Sequence, residues 1–171
     1  MKALFIIAPK DFRDEEYFGP KEILEKAGIE VETASTTTKE CIGKLGGKVI
    51  PNRTLSEVIE IDYDVIIVVG GPGAPALGGL PEFNTIIKTA DSNEQKIAAI
   101  CIAPMLLAYA GILAGKKATV FPTPESLKAL KRSGATYVKE DVVVDGRIIT
   151  ANGPSAAKKF GEAIVKLLKV K

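Results

Sequence analysis

Apolar-rich runs bounded by turn residues recur along the chain at Lys2–Ala8, Ile29–Ala34, Val65–Val69 and Lys96–Ile100, and more weakly at Ala118–Phe121 and Arg147–Ala151. Runs that do not alternate with polar residues suit strands covered on both faces. Between them lie stretches of helical period: Glu15–Ala27 closed by Gly28, Glu82–Asp91, Pro104–Ala114, Pro124–Ser133 closed by Gly134, and Pro154–Lys169. Strands alternating with helices predict a mostly parallel sheet sandwiched between helical layers. Two hairpins are predicted as additions, one over Cys41–Ile50 with its three glycines and one over Asp141–Ile149 around Asp145-Gly146. The longest loop is Gly70–Pro81, and a loop of that length in a compact domain is often functional.

A length of 171 residues fits one domain, expected to span residues 1–171. Charged residues make up 26% of the chain, and 23 Lys+Arg stand against 21 Asp+Glu, so no polyanion-binding face and no nucleic-acid partner is expected. The opening apolar run is shorter than the core of a signal peptide. No segment reaches the roughly 20 apolar residues of a membrane span. A soluble, cytoplasmic protein is therefore expected. The scarcity of Asn, Gln, Cys and Met beside abundant Lys and Glu is a bias of heat-adapted proteins. The chain has no histidine, which removes the usual general base and the commonest metal ligand. With only two cysteines, Cys41 and Cys101, neither a metal nor an organic cofactor is expected.

Three segments carry candidate chemistry. In Lys96-Ile-Ala-Ala-Ile-Cys101-Ile-Ala-Pro104 a buried strand runs into a helix with Cys101 at the junction, and the flanking Ala99 and Ala103 are small enough for a nucleophile elbow. A thiol at a helix N-terminus faces free N–H groups that favour the thiolate, although most free cysteines are simply small buried hydrophobes. The second segment, Val68-Val-Gly70-Gly71-Pro72-Gly73, places glycines at a strand end, where N–H groups can approach a developing oxyanion. The rival reading there is a dinucleotide loop, but that fingerprint normally follows the first strand. The third is Asp14-Glu15-Glu16-Tyr17 at the start of the first helix. A carboxyl beside a thiolate can donate a hydrogen bond, yet acidic residues are common in any first helical turn, and position alone does not choose among the three. Cys41, in the predicted hairpin arm, is expected to be an exposed structural thiol.

These residues resemble the DJ-1/ThiJ/PfpI family, within the class I glutamine amidotransferase-like superfamily. The match runs through Ala98-Ala-Ile-Cys101-Ile-Ala-Pro104, Asp64-Val-Ile-Ile-Val-Val-Gly-Gly71, the acidic helix start with Pro20, and Asn152-Gly-Pro154 before the last helix. The resemblance implies a flavodoxin-like three-layer α/β sandwich. It implies Cys101 and Glu16 as the catalytic pair, Gly70, Gly71 and Ile102 as oxyanion or substrate-binding groups, and a homodimer or larger homo-oligomer. The chain departs from its relatives in two places. Ile102 stands where the peptidase-like branch has histidine, and Phe121-Pro122 stands where another branch has a histidine before proline. Three functions follow as expectations: a cysteine-dependent protein acting on a small-molecule carbonyl or an oxidant, as a glyoxalase or deglycase or as a redox sensor; a peptidase or amidase, disfavoured by the missing histidine; and a binding module without chemistry.

Overall fold

The computed structural model describes residues 1–169. From the N-terminus, β1 (Lys2–Ile6) and the short β2 (Lys10–Phe12) lead into α1 (Asp14–Lys26). The strands β3 (Glu30–Ser35), β4 (Cys41–Gly43), β5 (Lys48–Val49), β6 (Arg53–Thr54) and β7 (Val65–Val68) follow, then α2 (Pro81–Ser92), β8 (Lys96–Ile100) and α3 (Ala103–Tyr109). The last third holds β9 (Lys117–Ala118), α4 (Pro124–Arg132), β10 (Thr136–Tyr137), β11 (Val142–Asp145), β12 (Ile148–Ala151) and α5 (Ala157–Lys169).

Seven strands form the main sheet in the order β11-β12-β8-β7-β1-β3-β6, and every pairing in it is parallel except that of β11 with β12. Successive residues of a strand face opposite sides, so each buried apolar run supplies two cores at once. Leu4, Ile6, Ile66, Val68, Ile97 and Ala99 pack under α2, α3 and α4. Ala3, Phe5, Val65, Ile67, Ala98 and Ile100 pack under α1 and α5. The chain is thus the expected mostly parallel, three-layer α/β sandwich.

Both hairpins form, β4–β5 with Cys41 opposite Val49 and β11–β12 around Asp145-Gly146. Two expectations need correction. The run Ala118–Phe121 does not join the main sheet: only Lys117–Ala118 is strand, and it pairs with β10. Cys41 is fully buried rather than exposed, because the hairpin folds inward against α1 and places the thiol in the core with Phe12 and Tyr17.

At the edge opposite the candidate site, Glu32 gathers three partners: Arg53 Nε at 2.9 Å, Lys2 Nζ at 2.8 Å and the Tyr63 hydroxyl at 2.5 Å. The Arg53 hydrogen bond leads in holding the Glu32 carboxyl down at about 2, against an ordinary 4.5. A lowered native pKa stabilises the fold above the unfolded value, and the gain is lost as pH falls toward about 2. Glu32→Gln is expected to cost ~1–3 kcal/mol at neutral pH, the cost of orphaning hydrogen bonds to a charged group. Its acid-unfolding curve, followed by circular dichroism, should be flatter between pH 4.5 and 2 than that of the wild type.

Candidate active site

The carboxyl ends of β1, β7 and β8 lie side by side, with Ile6 opposite Val68 and Val68 opposite Ala99, so whatever follows these strands converges on one edge. β8 ends in Cys101, whose φ of 64° lies in the left-handed region that non-glycine residues avoid. The strain is held from both sides. The Cys101 N–H donates to the Ala151 carbonyl at 2.9 Å, and the Cys101 carbonyl accepts from the Phe121 N–H at 2.7 Å. This is the geometry of a nucleophile elbow: the side chain stands off the strand end, half-buried, over the first turn of α3.

The three acidic residues of α1, equivalent in sequence, separate in space. Asp14 turns to the β4–β5 hairpin and accepts from the Leu45 N–H at 2.8 Å and the Gly47 N–H at 2.7 Å. Glu15 pairs with the Arg13 guanidinium at 2.7 Å. Glu16 alone turns inward and is fully buried. Its Oε1 accepts from the Gly70 N–H at 3.1 Å, its Oε2 has no hydrogen-bond partner among the described residues, and the group facing the carboxyl is the Cys101 thiol.

Gly70 makes this meeting possible. A Cβ at that position would fall 2.7 Å from the Cys101 Cβ, the Glu16 Oε1 and the Ile100 carbonyl, so any side chain would separate acid from thiol. Its N–H, expected as an oxyanion donor, is instead committed to holding Glu16. The N–H groups of Gly71 and Ile102 are the ones that favour a charge on the Cys101 sulfur. The dinucleotide-loop alternative has no room: Gly71 is pressed by Asp11 and Arg13 backbone, and a Cβ on Gly73 would lie 1.9 Å from the Lys10 carbonyl, where β2 passes. These glycines admit the protein's own chain rather than a phosphate.

Burial is the main cause that raises Glu16 from 4.5 to about 7. Burial also pushes the Cys101 thiol up, to about 12, with the Glu16 charge second; the Ile102 and Gly71 N–H groups pull the other way. This direction is opposite to the one expected from the helix N-terminus. α3 is only seven residues long, and its N–H groups do not offset a desolvated site next to a carboxylate. The physical consequence is a pair that tolerates one negative charge and holds one proton between sulfur and oxygen. Thiolate forms readily only where Glu16 keeps that proton.

Above the pair lies a cavity of about 270 Å³ lined by Arg13, Gly71, Pro72, Pro75, Cys101, Ile102, Phe121 and Pro154. Its walls are chiefly apolar, a dry surrounding that strengthens electrostatics at the sulfur. All five residues expected at the site (Cys101, Glu16, Gly70, Gly71 and Ile102) meet at this one edge. Sequence reasoning missed Arg13, Pro72 and Pro75. A lone arginine in the polar run Asp-Phe-Arg-Asp-Glu-Glu gives no periodic signal.

A sequence model of the DJ-1/PfpI family matches residues 1–167. The chain belongs to the DJ-1/PfpI family. It is 44% identical over 168 residues to the uncharacterized protein MJ0967 of Methanocaldococcus jannaschii, a match covering 98% of this chain and 82% of that protein. It is 29% identical to the glutathione-independent glyoxalase DJR-1.2 of Caenorhabditis elegans, covering 97% of this chain and 88% of the relative. The crystal structure of a ThiJ/PfpI domain protein from Brachyspira murdochii superposes with a TM-score of 0.93 at 32% identity, covering 98% of this chain and 95% of that one.

Proposed function

We propose that this DJ-1/PfpI protein is a glyoxalase-like enzyme that converts small 2-oxoaldehydes to 2-hydroxycarboxylates, with Cys101 as nucleophile and Glu16 as the single proton carrier. The observation that carries the reading is a buried carboxyl titrating at about 7 and facing the thiol of a strained elbow. A general acid or base works best when its pKa lies near the operating pH. The glyoxalase activity named for the nematode relative supports the same chemistry.

The steps follow from the geometry. The Cys101 sulfur bonds to the aldehyde carbon while the proton held by Glu16 passes to the carbonyl oxygen, giving a hemithioacetal. The Gly71 and Ile102 N–H groups stabilise the charge on that oxygen as it develops. Glu16, now a carboxylate, removes the hydrogen on the former aldehyde carbon to give an enediolate, the hydroxyl proton shifts to the neighbouring oxygen, and Glu16 returns its proton to the neighbouring carbon, leaving a thioester. Water cleaves the thioester: one of the two protons released returns to the Cys101–Glu16 pair, the other goes to solvent, and the 2-hydroxycarboxylate leaves. The sum is the 2-oxoaldehyde plus water, so no external oxidant or reductant is consumed.

The test is incubation with methylglyoxal at pH 7, with lactate followed by NMR and thiol adducts by intact mass. Lactate formation with a transient adduct on the Cys101 peptide is expected. Absence of both product and adduct would overturn the reading.

The half-buried thiol favours a second reading as an oxidant sensor. Two equivalents of peroxide would take Cys101 to the sulfinic acid, whose oxygens the protonated Glu16 can hydrogen-bond. A two-oxygen mass gain confined to Cys101 distinguishes sensing from turnover. The peptidase alternative lacks the histidine that activates the sulfur and protonates the leaving amine in a Cys-His hydrolase, since the chain has none.

A further inference from the structure

Among the residues that line the cavity over Cys101, Arg13 carries a permanent charge, and the other walls are Pro72, Pro75, Ile102, Phe121 and Pro154 with Gly71. The Arg13 backbone is fixed to the site, because its N–H donates to the Gly70 carbonyl at 3.0 Å. Its side chain is braced rather than free: Nε donates to Glu15 Oε2 at 2.7 Å and Nη2 to Glu15 Oε1 at 3.5 Å. That side-on pairing uses one edge of the guanidinium. Nη1 makes no hydrogen bond among the described residues, and a guanidinium offers five N–H donors in a rigid fork that suits a carboxylate. Arg13 and Cys101 line the same cavity of about 270 Å³, so the charge and the sulfur border one small-molecule-sized space.

We propose that Arg13 is a specificity-determining residue that selects substrates carrying an anionic group, so that the favoured compounds are 2-oxoaldehydes with a carboxylate tail rather than neutral dicarbonyls. In this arrangement the aldehyde meets Cys101, the carbon chain lies on the proline and phenylalanine walls, and the carboxylate caps Nη1 at the mouth. The statement about substrates rests on the carbonyl reading of the same site, whereas the selection of anions by Arg13 does not.

Two measurements separate these. In the first, Cys101 is alkylated at pH 8 with iodoacetate and with iodoacetamide, which differ in charge, and modification is assigned by peptide mass. The ratio of the two rates is expected to fall roughly tenfold or more in Arg13→Gln and to be partly kept in Arg13→Lys, as loss of a charge-assisted contact predicts. An unchanged ratio in Arg13→Gln overturns the proposal whether or not the protein turns over any aldehyde. In the second, kcat/KM is compared for 4,5-dioxopentanoate, yielding 2-hydroxyglutarate, and for the neutral 2-oxopentanal. The wild type is expected to favour the anionic compound, and Arg13→Gln to lose that preference through KM. Equal losses for both compounds would place Arg13 on the reacting carbonyls and overturn the selection. If neither compound is turned over while the alkylation ratio still falls, the glyoxalase reading fails and anion selection stands.

Discussion

In a Cys101→Ser variant, conversion of methylglyoxal should fall by roughly 10³-fold or more, to the background rate. The substitution tests chemistry rather than folding. Serine is nearly isosteric, meets the same φ of 64°, and keeps both backbone hydrogen bonds, to Ala151 and from Phe121. What changes is acidity. A thiol can yield its proton to a site that accommodates one negative charge, whereas a serine hydroxyl needs a strong neighbouring base. Histidine is absent from the chain, and a carboxyl titrating at about 7 is too weak a base for that task. Cys41, buried in the core 60 positions away in sequence, provides the control: Cys41→Ala should keep the wild-type kcat. Steady-state rates and unfolding midpoints of both variants decide the matter, and turnover retained in Cys101→Ser would remove the sulfur from the mechanism.

Glu16→Gln is expected to lower kcat by roughly 10²–10⁴-fold, the usual worth of a positioned acid or base. The amide can still accept from the Gly70 N–H and fills the same space, but it can neither protonate the oxyanion nor carry the hydrogen between carbons. The same variant should be more stable than the wild type at alkaline pH. Between 4.5 and about 7 the folded state keeps a proton on Glu16 that the unfolded chain has released, so wild-type stability falls across this window and levels off above it. At about 1.4 kcal/mol per unit the penalty approaches ~3 kcal/mol at pH 8, and a neutral amide avoids it. Melting temperatures at pH 5 and pH 8 give the comparison: the variant should gain at pH 8 and gain little at pH 5. A variant that lost both stability and activity at every pH would indicate a structural carboxyl instead.

Residues whose burial alone dictates their conformation were legible in advance. β8 runs from Lys96 to Ile100 as expected, because an unbroken apolar run between two layers of helix has no other stable place. α1 differs from its expected range by one residue at each end. Where burial does not decide, the sequence is silent. β2 and β6 are short and built from Lys-Asp-Phe and Arg-Thr, and their pairing depends on neighbours that approach only after the sheet has formed. α3 stops at Tyr109 rather than Ala114, because Gly111 takes a φ of 82° and its N–H turns back to the Ala108 carbonyl. At the site, the elbow could be read from small residues around Cys101, but the choice of Glu16 over Asp14 and Glu15 came from family resemblance. Those three carboxyls differ only by rotation about a helix axis, about 100° per residue. The hairpin and Arg13 take up the other two. The direction of the thiol pKa is not legible either, because a helix N-terminus is visible in sequence and desolvation is not.

The strained turn at Cys101 is bolted at both ends to segments that come later in the chain, Phe121 on one side and Ala151 on the other. The hydrogen bonds that hold this turn are therefore complete only once residues 121 and 151 have been made and β12 has docked beside β8. Pro154, just beyond β12, supplies a wall of the cavity as well. The reactive centre thus leans on backbone far downstream of it, and cleavage of the β11–β12 hairpin is expected to loosen the Cys101 turn without touching any residue that does the chemistry.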